Sequence, residues 1–225
     1  MTSAQRFNIT ELWIAFGARK NFRYLPAHEM ANALGLDSCV SLSMFLAFTG
    51  CDTVSCFGSR GKRAAWDMWN AYDEVTPAFC ALAATPETVD NWLCPLERLL
   101  VLLYDCTSSQ EFVNKARKQF TQKSRAIVLG QAVLIQHTKR AAHQAGHCWA
   151  KTMITSSELP SPSEWGWNRN VNDGWTTLSE STQASCELLR NGCNKGTIGL
   201  CKCLKRNINA LLFATVVDCI LVANV

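Results

Sequence analysis

The stretch from Phe48 to Trp66, FTGCDTVSCFGSRGKRAAW, holds the residue types with the clearest chemical potential. One carboxylate, Asp52, precedes a cationic group at a predicted helix start near Ala64. Backbone amides at a helix start bind phosphate, because the helix dipole favours an anion and a glycine lets the anion approach closely. Arginine and lysine side chains add charge attraction. The residues predicted to hold nucleic-acid phosphate are Arg60, Gly61, Lys62 and Arg63.

Asp52 supports two interpretations. As a metal ligand it would bind Mg²⁺ for phosphodiester cleavage, but nucleases of that kind hold Mg²⁺ between several carboxylates. Glu29, Asp37 and Asp67 are close in the sequence, yet their spacing does not direct them toward Asp52. As a structural residue, Asp52 would cap the following turn through its side-chain oxygen. The carboxylate count predicts no cleavage by this chain alone.

Two runs of cations without an acid extend the basic character of the chain. Each carries five cations, from Lys115 to Arg125 and from Arg190 to Arg206. Such runs are solvated faces unless a nucleic acid contacts them, and the formal net charge of +4 permits that partner without requiring it. We expect nonspecific attraction of nucleic acid along the first run, with Lys115 and Lys118 as contacts.

Histidines and cysteines form two candidate zinc sites. His143 and His147 lie at i and i+4, with His137 further upstream, but the glutamate of a metalloprotease motif is missing and Cys148 is predicted on another helical face. Ordinary histidines are therefore expected there.

Four thiolates in a C-x6-C-x7-C-x-C pattern are enough for one tetrahedral Zn²⁺, although reduced apolar thiols are the alternative. These four cysteines are Cys186, Cys193, Cys201 and Cys203.

The periodicity predicts a mainly helical fold with one small β-hairpin. Apolar runs at 12–16 and 22–25 flank a turn that contains Gly17, and a short helix stops at Gly35. Asp37 or Ser38 is predicted to cap the next helix. Further helices are expected in KRAAWDMWNAY, ETVDNWLCPLERLLVLLYDC, SSQEFVNKARKQFTQKSRA and LGQAVLIQHTKRAAHQAGHCWAK.

The rest of the chain changes in composition. A Pro-, Ser- and Trp-rich segment is predicted to be an extended crossing held to a surface by its tryptophans. The apolar stretch 208–225 could span about 27 Å as a helix, but Asp218 inside it is costly in lipid, so packing on the domain is expected. The first 16 residues lack the charged start and apolar core that are typical of a secretory signal. Six cysteines sit singly among apolar residues, as reduced thiols do: Cys39, Cys51, Cys56, Cys80, Cys94 and Cys106. We expect an intracellular protein, nuclear or cytoplasmic.

The sequence resembles a group of transposable-element-associated animal proteins of uncharacterised function. That group carries the motifs AFTGCDTVS…GRGKK-AW, NKARK, KRAA-QAGH-W, LPSP-WGW and WTTL, followed by a Cys-rich tail. The resemblance covers nearly all of residues 11–203. The tail of the group is similar to CXC modules that bind zinc and DNA, which implies Zn²⁺ at the four cysteines named above.

Residues 11–70 also resemble the C-terminal half of a PIN/flap-endonuclease-like domain. In that family a helix leads to Gly-Cys-Asp, and seven residues later to a Gly-x-Gly-Pro-Lys-x-Ala turn. Here Gly50-Cys51-Asp52 precedes residues 59–65 at the same interval, with Ser59 in place of the first glycine and Lys62 in place of the proline. The resemblance implies that Asp52 is an Mg²⁺ ligand whose companion carboxylates come from earlier strands or from a partner chain.

Four segments are predicted: residues 1–106 as the rear half of a PIN-like domain, 107–155 as a helical extension, 156–176 as the crossing segment and 177–225 as a short helix, a Cys-rich remnant and an apolar tail. The predicted function is nonspecific binding of a nucleic-acid backbone without catalysis. The alternatives are a structure-specific Mg²⁺-dependent nuclease that uses Asp52, and a vestigial or protein-interaction fold. In the last case Arg60 and Lys62 would pair with local acids such as Asp67 or Asp73.

Overall fold

The structure, a computed structural model, describes residues 10–117, 130–150, 158–169 and 175–177. Over these residues the fold is mainly helical, with two small antiparallel sheets of two strands each. The Cys-rich remnant, the apolar tail and Lys118 lie outside the described residues.

The predicted hairpin is confirmed. Strand β1 (Trp13–Phe16) pairs with β2 (Arg23–Pro26), so that Trp13 lies opposite Pro26 and Phe16 opposite Arg23. Gly17 begins the connection with φ of +91°, and a Cβ there would collide with the backbone carbonyl of Asn21. The apolar pattern set the strands, and the glycine makes the turn possible.

Two helices follow the hairpin at a sharp angle. Helix α1 (Ala27–Leu34) and helix α2 (Leu36–Phe48) are bent by 103° at Gly35, whose φ is +80°. The predicted cap at Asp37 or Ser38 is wrong: α2 begins at Leu36 with Gly35 as its N-cap and no side-chain cap bond. The left-handed glycine that ends α1 also starts α2, which leaves no position for a side-chain cap between them.

Helix α2 is the centre of the core. Its residues from Leu42 to Phe48 are all buried, and the helix packs against α4, α6 and the π-helix that follows α6. Within the part of the chain that the structure describes, no single helix is long and apolar enough to cross a membrane. The bent pair α1 and α2 meets that test only jointly, by length and composition.

Three further helices lie between residues 62 and 104. Helix α3 (Lys62–Ala71) lies within the predicted helical stretch KRAAWDMWNAY, and α4 is Thr76–Ala84. The single long helix predicted next is divided: a 3₁₀ segment (Pro86–Trp92) precedes α5 (Leu93–Tyr104), which carries Pro95 in its first turn as expected. Residues 113–117 are again helical.

The last described segments pack against α2 and complete the core. Helix α6 (Gln131–Ala142) continues as a π-helix (His143–Trp149), and a 3₁₀ turn (Pro162–Trp165) precedes the second sheet, with β3 (Trp167–Arg169) paired to β4 (Trp175–Thr177). The predicted crossing is thus not simply extended. Its buried Trp165 belongs to the same hydrophobic cluster as α2.

Candidate nucleic-acid interface

The turn that opens α3 has its unusual backbone at Ser59. Ser59 has φ of +59°, a left-handed conformation that favours glycine, whereas Gly61 has φ of −86°. An added Cβ at Gly61 would meet no atom within 4 Å. Gly61 is therefore not required by backbone geometry, and the strained position is the one that precedes the cations.

Arg60 is tied to the C-terminal end of α5. Its Nη2 donates to the Tyr104 carbonyl oxygen at 3.1 Å, and its guanidinium lies 5.4 Å from the centre of the Tyr104 ring. The Tyr104 hydroxyl in turn donates to the Gly58 carbonyl at 3.1 Å, and burial raises the pKa of Tyr104 to about 12. A cation at this end complements the negative end of the helix dipole.

Lys62 binds the C-terminal end of α2, as Arg60 binds that of α5. Its Nζ donates to the Leu46 carbonyl at 3.0 Å, to the Thr49 hydroxyl at 3.2 Å and to the Gly50 carbonyl. The last carbonyls of a helix have no partner within the helix, so this ammonium satisfies them. Burial lowers the pKa of Lys62 to about 8. The side chain therefore points toward the protein rather than toward a ligand.

The start of α3 itself is open to solvent. Its N-cap, Gly61, has no side chain to cap the first amides, and the first turn contains no acid. Gly61, Arg63 and Ala64 are exposed. Of the four predicted phosphate contacts, Gly61 and Arg63 face solvent beside uncapped amides, while Arg60 and Lys62 bind helix carbonyls.

Asp52 is exposed in the loop that links α2 to this turn. The loop is closed by the Cys51 amide, which donates to the Val54 carbonyl at 2.8 Å, and it is joined to the π-helix by the Thr53 hydroxyl, which donates to Gln144 Oε1 at 2.6 Å. Among the described residues, no group of three or more His, Cys, Asp or Glu side chains could hold a metal ion. The structure gives Asp52 no companion ligand in those ranges.

The π-helix brings together a thiol and an imidazole that a regular α-helix would place on different faces. Cys148 Sγ lies 3.6 Å from His143 Nδ1, because hydrogen bonds from residue i to i+5 widen each turn. His143 Nε2 donates to the Pro160 carbonyl at 3.1 Å, which leaves Nδ1 as the acceptor for the thiol. Burial lowers the pKa of His143, while burial and the nearby Cys51 and Asp52 raise the pKa of Cys148. Both groups are therefore neutral near pH 7.

The other two histidines of the candidate zinc site, His137 and His147, have separate partners. His147 Nε2 lies 3.2 Å from Glu87 Oε1, and His137 Nε2 donates to the Phe48 carbonyl at 2.7 Å. Burial, with a smaller effect of Arg140, lowers the pKa of His137 to about 3. Each of these imidazoles is thus held by a different neighbour.

Lys115 is the described member of the two predicted contacts on the first basic run. It is exposed, and its Nζ lies 5.2 Å from the centre of the Phe112 ring. Lys118 and the four tail cysteines fall outside the described residues, so phosphate contact at Lys118 and Zn²⁺ in the tail stay predictions.

The hairpin carries a cationic and aromatic surface that the sequence analysis missed. Between Glu11 and Glu29 there is no acid, while three cations and four aromatic residues occur. An acid-free segment that carries both aromatic residues and cations was the sequence feature that could have identified it. These residues are Trp13, Phe16, Arg19, Lys20, Phe22, Arg23 and Tyr24.

A polar cleft of about 340 Å³ lies between α5 and the loop after it. Glu74 and Glu111 line it together with Arg98, whose Nη1 donates to the Ser108 and Gln110 carbonyls at 2.8 and 2.7 Å. Two carboxylates around a cation that is already bound do not favour a phosphate ligand.

No family model, curated protein or solved structure matches this chain.

Proposed function

We propose that this chain is a transposable-element-derived protein that binds the backbone of nucleic acid and does not itself catalyse a reaction. The sequence motifs support the origin. The order of hairpin, two helices, positive-φ turn and α3 supports a core built on the rear half of a PIN/flap-nuclease-like fold. In particular, left-handed Ser59 stands where the family motif has its first glycine.

The observation that carries the binding proposal is the open start of α3. Uncapped amides, a first turn without acids and the exposed Arg63 together form a positive end at which a phosphate oxygen could accept hydrogen bonds. Lys62, in the same first turn, adds a second positive charge behind those amides. Its Nζ binds protein carbonyls, so Arg63 is the side chain proposed to contact phosphate directly.

The test is binding of the full chain to a fluorescent duplex and to a fluorescent single strand at rising salt. Affinity should fall steeply with salt, and Arg63→Glu should weaken binding to both probes and reduce the salt slope by about one. Arg169→Glu, which makes the same charge change at an exposed residue of β3, is the control and should have a smaller effect. Binding that ignores salt, or no binding at low salt, would remove the proposal.

The nuclease alternative needs carboxylates from outside the described residues. It is kept because Asp52 is exposed and therefore accessible to a ligand set supplied by another segment or by a partner chain. Cleavage that requires Mg²⁺ and is lost in Asp52→Asn would favour it over the binding proposal.

The interaction-fold alternative predicted that Arg60 and Lys62 pair with Asp67 or Asp73. Neither cation lies within ion-pair distance of those acids, and both donate to helix carbonyls instead. That arrangement removes the specific support for this alternative without assigning a partner.

A further inference from the structure

The hairpin presents one face to the core and the other to solvent. In the antiparallel register, Ala15 lies opposite Tyr24, and Trp13 is the next residue of β1 on the same face. The opposite face carries Ile14, which packs against the core. Trp13, Phe22 and Tyr24 are 51%, 50% and 63% exposed, far more than large aromatic residues in a core. We call these three residues the aromatic face.

The rings of the aromatic face are held in place by neighbours. The Phe22 and Tyr24 rings meet edge to face, 5.3 Å apart, and the Trp13 ring meets His28 in the same way at 5.4 Å. The Trp13 indole also donates to Glu11 Oε2 at 3.3 Å. A ligand that stacks on these rings would find them already ordered, which reduces the entropy lost on binding.

Cations surround the end of the hairpin next to the aromatic face. Arg19 and Lys20 are exposed there, and no acid occurs between Glu11 and Glu29. Arg23 lies opposite Phe16 on the other face, with its guanidinium 5.5 Å from the centre of the Phe16 ring. Arg19 has φ of +52°, a left-handed conformation that is unfavourable for arginine and that often occurs in functional loops. The surface therefore combines exposed rings with positive charge, which complements a ligand that has flat bases and phosphates.

The register of the two aromatic residues favours one form of nucleic acid. Trp13 and Tyr24 are diagonal neighbours across the two strands, a relation that separates residues by about 7–8 Å. Stacked bases of a duplex follow one another at about 3.4 Å. Two consecutive bases could therefore each stack on one of these rings only if they are unstacked from each other, as in a single strand.

We propose that the aromatic face stacks the bases of single-stranded nucleic acid on Trp13 and Tyr24, with Arg19 and Lys20 contacting the phosphates. This inference rests on the proposed function and names its substrate class. A membrane surface is the competing partner for aromatic and cationic residues. Nucleic acid is the partner proposed, because flat bases match rings that are already ordered and phosphates match the exposed Arg19 and Lys20 beside them.

The experiment measures binding of the full chain to a thymidine oligonucleotide of about 16 nucleotides, a length that a single binding fold can cover. A duplex of the same length and phosphatidylcholine vesicles that contain phosphatidylserine are tested in parallel. The variants are Trp13→Ala/Tyr24→Ala, its conservative version Trp13→Phe/Tyr24→Phe, and Arg19→Glu/Lys20→Glu. Leu159→Ala is the control, because Leu159 is an exposed apolar residue outside the hairpin.

The double alanine variant should bind the oligonucleotide about tenfold or more weakly, since each stacked base contributes strongly to affinity. Its salt slope and duplex binding should stay as in the wild type. The phenylalanine variant should restore affinity, and the charge-reversal variant should reduce the salt slope by about two. Circular dichroism of each variant checks that the fold is retained.

Three results would overturn the inference. If the alanine variant binds the oligonucleotide like the wild type while Arg63→Glu weakens it, the proposed function stands and the aromatic face does not bind bases. If neither nucleic acid binds at about 50 mM salt, both proposals fail. If the alanine variant loses only vesicle binding, the aromatic face is a membrane contact.

Discussion

At Lys62, three oxygen atoms of the α2 terminus occupy the hydrogen-bonding directions of one ammonium group. Lys62→Met keeps the length of the side chain but removes the donor. We expect the unfolding free energy at neutral pH to fall by about 1–3 kcal/mol, because helix carbonyls lose a charged partner. Urea denaturation followed by circular dichroism measures this, and Lys115→Met, at an exposed lysine, should have little effect.

The same residue predicts a pH dependence. The pKa of Lys62 is about 8 in the folded chain, against an ordinary value of 10.5. Between these values the unfolded chain binds more protons than the folded chain, so the unfolding free energy rises with pH. Below pH 8 both states are protonated and the contribution is constant. The difference between wild type and Lys62→Met should therefore grow from about pH 8 to about pH 10, and a constant difference would contradict the assignment.

At the scale of elements, the π-helix depends on a close approach at Gly146. A Cβ at this position would overlap Pro86 Cγ and lie 3.1 Å from the Ala83 carbonyl oxygen. Gly146→Ala should therefore lower the unfolding free energy by about 1–3 kcal/mol through overpacking. Gly61→Ala is the control: it meets no atom within 4 Å, so only the weaker capping preference of alanine, below about 1 kcal/mol, should appear.

Thermal melting of both glycine variants distinguishes the two effects. An equal loss at Gly146 and Gly61 would show that the packing of the π-helix against the 3₁₀ segment is not what requires Gly146.

Elements with a local cause were predictable from the sequence. The hairpin, α1 and the end of α1 at Gly35 follow from alternation, helical spacing and a glycine with positive φ. The π-helix was not predictable, because a period of 3.6 residues places Cys148 away from His143. Its wider turn depends on packing against distant segments.

The candidate site shows the same division. The helix start, its missing cap and the exposed Arg63 could be expected from residues 59–65 alone. The partners of Arg60 and Lys62 could not, because Arg60 binds an oxygen 44 residues away and Lys62 binds oxygens 12 to 16 residues away. The sequence shows where cations occur, but it does not show the direction in which a long side chain points.

At the scale of the molecule, one hydrophobic cluster joins α1, α2, α6 and Trp165. His137 of α6 packs between the Phe48 and Phe57 rings, with ring centres 5.3 and 4.8 Å away. We expect one cooperative unfolding transition, with coincident midpoints by circular dichroism and tryptophan fluorescence. Separate midpoints would show that α6 and the π-helix unfold independently.

A chain cut after residue 106 tests the same point. It would lack α6 and the π-helix and would expose Phe48 and Phe57, so we expect it to lose the cooperative transition. A native-like spectrum and a sharp transition in this fragment would show that the segment ending there is a domain of its own.

Arg60 and Lys62, which bind the ends of α5 and α2, affect how the salt dependence of nucleic-acid affinity should be interpreted. Because Arg60 and Lys62 are already matched by dipole ends inside the protein, only Arg63 remains at this turn to displace counterions from a phosphate. One such contact changes the logarithm of affinity by about 0.9 per logarithmic unit of salt. A slope several times larger would require phosphate contacts by cations elsewhere on the surface. The measured slope therefore gives the number of those additional cations.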